Sequence, residues 1–122
     1  MQDNLNDKKT YCNVITSIIA ANDDLKIDTT DYPKLSSFDI QSGLQIAKKT
    51  KEILDKEPAV LQINTKSKRA DFVFVGDLHG NLDSLIRIFK EKGYPPKVRY
   101  LFLGDYIDRG RYSCEVIMLL YS

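Results

Sequence analysis

Two dipeptides concentrate the chemistry this sequence can do. Gly76-Asp77 and Gly104-Asp105 each follow an apolar run, DFVFV (71–75) and VRYLFL (98–103). His79 stands two residues beyond Asp77, and Asp108 and Arg109 follow shortly after Asp105. Carboxylates and an imidazole together suit manganese, iron or zinc. In extended backbone, side chains at i and i+2 point the same way, so Asp77 and His79 would offer one ion an oxygen and a nitrogen. If the two apolar runs are adjacent strands, their ends lie about 4.8 Å apart. Asp77 and Asp105 would then reach a shared ion or an ion pair, and two-metal phosphoester sites hold their ions roughly 3.5–4 Å apart. Arg109 adds a planar fork of donors that fits a phosphoryl group. The set points to an anionic ester held by cations.

Each residue also has a plainer reading. A lone histidine is more often a cap or a core residue, but Asp77 beside His79 and the echo at Asp105 favour ligation. Asp108 before Gly110 could be a turn former, and Arg109 a surface ion pair. Arg111 is expected in solvent. Gly76 and Gly80 are expected to relieve crowding where the chain passes the site.

The elements that must position these residues form an α/β pattern. The run 71–75 is rich in valine and aromatics, as in a parallel strand buried on both faces. Leu82, Leu85, Ile86 and Phe89 recur at helical spacing over 82–92, with Asn81 as N-cap and Gly93 as stop. The run 98–103 is a second strand, and 113–121 starts another helix around Val116, Leu119 and Leu120. That is one β-α-β unit, whose crossover helix returns the chain to a parallel strand. Its ligands are expected outside the carboxyl ends of the strands.

The first half is less ordered in pattern. Residues 1–36 read as a polar tail, a short helix around Val14, Ile15, Ile18 and Ile19, and a loop. A stronger helix starts near Ser37, with Asp39 in its first turn and Pro58 at its end. Its inward face is expected at Ile40, Leu44, Ala47 and Leu54, broadened by Ile46 and Ile53. Lys48, Lys49 and Lys51 read as a solvated face. Ala59–Ile63, AVLQI, reads as a short strand, followed by the surface connector NTKSKRA.

Composition bounds the rest. The chain has 122 residues, 43% of them hydrophobic, and a net charge of +1. That suits one small domain and gives no positive field for nucleic acid. The connector also lacks the interleaved aromatics of a single-strand platform. No apolar run approaches the roughly 18 residues of a membrane span, and MQDNLNDKK does not read as a secretory leader. Cys12 and Cys114 are expected as reduced thiols. A single histidine leaves no multi-histidine cage within this chain.

GDLHGN (76–81), YLFLGDYIDRG (100–110) and the helix between them resemble the PPP-type serine/threonine protein phosphatases, within the metallophosphoesterases. FKEKGYPPKVRYLFLGDYIDRG looks most like the type-1 branch. The resemblance is weak from about Asn13 and strong from Asp71 to Leu120. It implies that 37–122 is a partial phosphatase catalytic domain: N-terminal helices plus the first β-α-β unit of a β-sandwich flanked by helices, truncated. It implies metal ligation by Asp77 and His79, a bridge between two metals at Asp105, and phosphate binding by Arg109. Asp108 would orient a histidine acid supplied by a later GNHE segment. Leu78, Ile107 and Asn81 stand where the family commonly has isoleucine, valine and glutamine.

The same resemblance implies phosphoserine and phosphothreonine hydrolysis with two metal ions, manganese, iron or zinc. It implies phosphoprotein substrates, regulatory subunits and a cytoplasmic location extending to the nucleus. The later histidines, a second arginine and much of the sandwich have no counterpart here. The 122-residue chain is therefore expected to be inactive by itself and to self-associate through an exposed edge. Two alternatives stand beside this reading: a hydrolase of dinucleoside polyphosphates or other small phosphoesters, and a non-catalytic interaction fragment that keeps half a site.

Overall fold

The computed structural model describes Ile15, Thr16, Ile18, residues 39–63 and residues 72–122. Its elements are helix α1 (Ile40–Leu54), strand β1 (Phe72–Val75), helix α2 (Leu82–Lys92), strand β2 (Arg99–Phe102) and helix α3 (Ser113–Tyr121). The chain divides into two compact units, Glu57–Val116 and Met1–Lys56 together with Ile117–Ser122. Among the described residues, no helix is long and apolar enough to cross a membrane.

The unit Glu57–Val116 is built on the β-α-β pattern. β1 and β2 pair in parallel, from Phe72 opposite Arg99 to Val75 opposite Phe102. A parallel pair requires a crossover, which α2 provides. Asn81 caps α2, its Oδ1 accepting from the Ser84 amide at 2.9 Å. Gly93 ends it at φ 105, a left-handed value that suits glycine. Leu82, Leu85, Ile86 and Phe89 are all buried. Each such side chain contributes on the order of 1.5–3 kcal/mol through its removal from water. The Phe89 ring meets Tyr100 of β2 edge-on, with centroids 5.1 Å apart, so the apolar stripe of α2 faces the sheet.

The strands are less enclosed than their composition predicts. Val75 is buried, but Phe74 is 59% exposed. β1 therefore has one covered side and one open side. Ala59–Ile63 is exposed and forms no strand. Apolar side chains make a strand only where the backbone finds a ladder partner, and the described sheet consists of β1 and β2 alone.

In the other unit, Asp39 is the N-cap of α1 rather than a first-turn residue. Its Oδ1 accepts from the Ser42 amide at 2.9 Å, and its Oδ2 accepts from the Ser42 hydroxyl at 2.8 Å. These bonds favour the ionised form and hold the Asp39 carboxyl below its ordinary 3.8. The helix ends at Leu54, before Pro58, and Asp55 is its C-cap. Ile46 is buried while Ile40 is 79% exposed, and Leu44 and Leu54 are also exposed. Ile46 lies about 120° around the helix from Ile40. The buried side is therefore not the stripe that the spacing of Ile40, Leu44, Ala47 and Leu54 marks. Lys48 and Lys51 lie in solvent, as expected, and Lys49 pairs with Glu52 at 3.6 Å. The Thr50 hydroxyl donates to the Tyr121 carbonyl at 3.5 Å. Ile15, Thr16 and Ile18 are helical. Val14, Ile19, Cys12 and the connector from Asn64 to Ala70 lie outside the described residues.

Tyr100 allows one prediction about stability. Its hydroxyl donates to the Gly93 carbonyl at 2.6 Å, and burial raises its pKa above the usual 10.0. The neutral form is the one the fold favours. Its contribution is fully present below pH 10.0 and is lost as pH rises through the higher folded-state value. Tyr100→Phe should cost about 1 kcal/mol at neutral pH and remove this alkaline component, as read by urea unfolding at pH 8 and above pH 10.

Candidate metal and phosphate site

The site grows from the two strand ends. Beyond the last paired residues, the Leu103 amide donates to the Val75 carbonyl at 2.9 Å and carries the ladder one step further. Gly104 then turns at φ 115 and Asp105 at φ 52. On the other strand, Gly76 and Asp77 lead into a turn at His79, φ 47, and Gly80, φ 71. The amides of Leu78 and His79 both donate to the Asp105 carbonyl, at 3.0 and 2.9 Å. One backbone oxygen thus holds the second turn against the first.

The result is a close triad. Asp77, His79 and Asp105 each offer a ligand atom, and these atoms lie within 4.8 Å of one another. His79 Nε2 is 3.7 Å from Asp77 Oδ2, and His79 Nδ1 is 3.1 Å from Asp105 Oδ1. His79 Nδ1 is buried and makes no aligned hydrogen bond, despite the short distance to Asp105. A buried polar atom left without a hydrogen bond costs free energy. An imidazole nitrogen among carboxylate oxygens is also a normal donor set for a borderline metal ion. The residues present fit a metal.

How the triad is aimed differs from expectation. His79 sits in the left-handed region, not in extended backbone, so the i, i+2 rule does not orient it. The turn does. Asp105, Asp108 and Arg109 are also left-handed, at φ 52, 78 and 58. Each such non-glycine residue costs about 1–2 kcal/mol, and strain of this kind clusters at functional sites.

Asp108 and Arg109 form an exposed pair on the same turn as Asp105. Asp108 Oδ1 accepts from the Arg109 amide at 2.8 Å, and Arg109 Nε lies 3.7 Å from Asp108 Oδ2. The Arg109 side chain is 77% exposed, so its fork is open to an incoming anion. The ion-pair reading and the anion-binding reading of Arg109 are compatible in this geometry.

The glycines divide differently from the sequence reading. Gly76 has open space around it, and no crowding needs relief there. A Cβ on Gly80 would lie 2.8 Å from Ser113 Oγ. Gly110, to which the spacing assigns no such role, is the tightest: a Cβ there would lie 2.1 Å from the His79 carbonyl oxygen. The last letter of GDYIDRG was the available signal.

Parallel strands deliver two aspartates and a histidine to one point, a donor set that suits a metal ion. Residues 70–121 match the calcineurin-like phosphoesterase family. A Caenorhabditis elegans protein named "Putative serine/threonine-protein phosphatase C27B7.6" is 41% identical over 90 residues, which cover 74% of this chain and 19% of that protein. This segment of the chain therefore belongs to the calcineurin-like phosphoesterases. That family implies divalent metals, and Asp77, His79 and Asp105 are the matching partial ligand group.

Proposed function

We propose that the chain supplies one half of the active site of a metal-dependent serine/threonine protein phosphatase. The observation that carries this reading is the triad of Asp77, His79 and Asp105, with Arg109 on the turn that Asp105 begins. Asp77 and His79 would hold one metal, and Asp105 would serve as a ligand to it and to a second. Manganese, iron and zinc all suit these donors. When bound, the metals polarise the phosphoryl oxygens and activate water for direct hydrolysis.

Substrate positioning falls to this chain's own residues. Arg109 takes the phosphate oxygens on its planar fork and sets the ester in line. The serine or threonine oxygen leaves when the phosphorus–oxygen ester bond breaks, and it must gain a proton. The Asp108 carboxylate accepts hydrogen bonds, so it orients the acid that delivers this proton. His79 is the only histidine in the sequence and is used as a ligand in this proposal, so the histidine acid that the family resemblance implies would come from another segment or chain. Arg109, Asp108 and the segment Phe89–Gly110 support the protein-phosphatase reading and its type-1 branch. Phosphoproteins as substrates, regulatory subunits as partners and a cytoplasmic and nuclear location belong to the same proposal.

A chimera tests it. The chain replaces the matched 19% of the worm relative, and the product is assayed on a phosphoserine peptide and on a dinucleoside polyphosphate, beside the intact relative. Peptide hydrolysis that falls at least roughly 100-fold in Arg109→Ala is the expected result. Preference for the dinucleoside polyphosphate would move the assignment to small phosphoesters. A manganese-loaded chimera that cleaves neither substrate, beside an active parent, would leave an interaction fragment as the better reading.

A further inference from the structure

Five backbone hydrogen bonds join the turn at Leu78–Gly80 to the segment Asp105–Tyr112. Two of them, both to the Asp105 carbonyl, have been described. The Gly80 amide donates to the Tyr106 carbonyl at 2.8 Å, and the Tyr112 amide to the Gly80 carbonyl at 3.3 Å. The fifth has a different character. The Gly110 amide is shared between the His79 carbonyl at 2.7 Å and the Asp108 carbonyl at 2.6 Å. It connects the residue that carries the imidazole to the turn that carries Arg109.

Gly110 is not needed for its backbone conformation, because its φ is not left-handed. It is needed for proximity. A Cβ would lie 2.1 Å from the His79 oxygen and 2.6 Å from the Gly80 carbonyl carbon, distances that no side chain tolerates. The residues just before it, Asp108 and Arg109, are both held in left-handed strain. A strained pair persists only where its surroundings over-determine it. Here the hydrogen bond from Gly110 to His79 is the restraint next to the pair.

We infer that Gly110 is a positioning residue that clamps the Arg109 turn onto the backbone of His79, so that filling the metal ligands orders the arginine. The inference rests on the reading of His79 as a metal ligand. Coordination fixes the His79 ring and, through its Cα, the peptide whose oxygen receives the Gly110 amide. Any state in which the Arg109 turn swings away must break that bond, so a ligand that stiffens His79 disfavours the open state. Arg109 would then be placed for phosphate chiefly when metal is present.

Amide hydrogen exchange followed by NMR tests this on the wild-type chain, with and without zinc as a diamagnetic probe. Zinc binding is measured in parallel by calorimetry. The expected result is about tenfold slower exchange at Gly110 and Arg109 on saturation with zinc, although neither residue is a ligand. Zinc that binds while both exchange rates stay unchanged overturns the clamp and leaves the metal site standing. No zinc binding overturns the reading of the triad, and the clamp with it. In Gly110→Ala, the slowing at Arg109 should be lost while residual zinc binding persists. The wild-type comparison decides the matter if that variant does not fold.

Discussion

Asp105→Asn should weaken manganese binding by at least roughly 100-fold, more than the 10- to 100-fold typical of residues that merely support a ligand. The substitution keeps shape and removes charge. Asp105 Oδ1 lies 3.1 Å from His79 Nδ1, so the carboxylate and the imidazole share one space. Two carboxylate oxygens and one imidazole nitrogen would hold a divalent ion largely by charge, and losing one of the two carboxylates would remove much of that attraction. The Asp105 backbone is a separate matter. Its carbonyl accepts the amides of Leu78 and His79, and asparagine preserves both bonds. Asparagine is also among the residues that tolerate the left-handed region, where Asp105 sits at φ 52. The fold should therefore survive, as read by circular dichroism, while calorimetric titration shows the lost affinity. Unchanged manganese affinity would mean that Asp105 holds only the turn.

The second large effect concerns stability. Gly110→Ala should destabilise the unit Glu57–Val116 by about 3 kcal/mol, the upper part of the range for forced overpacking. The atoms it meets are backbone, the His79 oxygen at 2.1 Å and the Gly80 carbon at 2.6 Å, and backbone cannot rotate away as a side chain can. Gly76→Ala provides the contrast. It meets nothing within 4 Å and should change stability by no more than about 0.5 kcal/mol. Urea midpoints for the two variants measure the difference directly. Equal midpoints would show that the two turns separate freely.

This contrast also shows how far the sequence could be read. Asp77, His79 and Asp105 were legible because the chemistry is carried by residue type and by position after an apolar run. The parallel pairing of β1 with β2, the limits of α2 and its caps at Asn81 and Gly93 were legible for a similar reason. The 3.6-residue stripe of Leu82, Leu85, Ile86 and Phe89 has one sheet to face, and both caps are local to the chain.

What stayed hidden depended on neighbours in space. The stripe at Ile40, Leu44, Ala47 and Leu54 is a genuine apolar face, yet Ile46 is the residue buried, and periodicity does not say which side finds a partner. Ala59–Ile63 has strand composition, but a strand needs a ladder as well. Crowding was expected at Gly76 and Gly80, and it occurs at Gly80 and Gly110. The i, i+2 spacing of Asp77 and His79 suggests extended backbone, whereas a left-handed turn at φ 47 sets the aim of His79. Backbone conformation at a strand end is decided by the hydrogen bonds it exchanges with the other turn. No local spacing rule contains that information.

If Asp77, His79 and Asp105 hold one metal ion, the single histidine makes that coordination directly visible. Manganese(II) bound to the chain can be examined by electron spin-echo envelope spectroscopy, which detects nitrogen coordinated to the ion. Because His79 is the only source of imidazole, the spectrum should show modulation from a single imidazole nitrogen, and His79→Ala should abolish it. Bound manganese with no nitrogen modulation, or modulation that persists in His79→Ala, would mean that His79 is not a ligand.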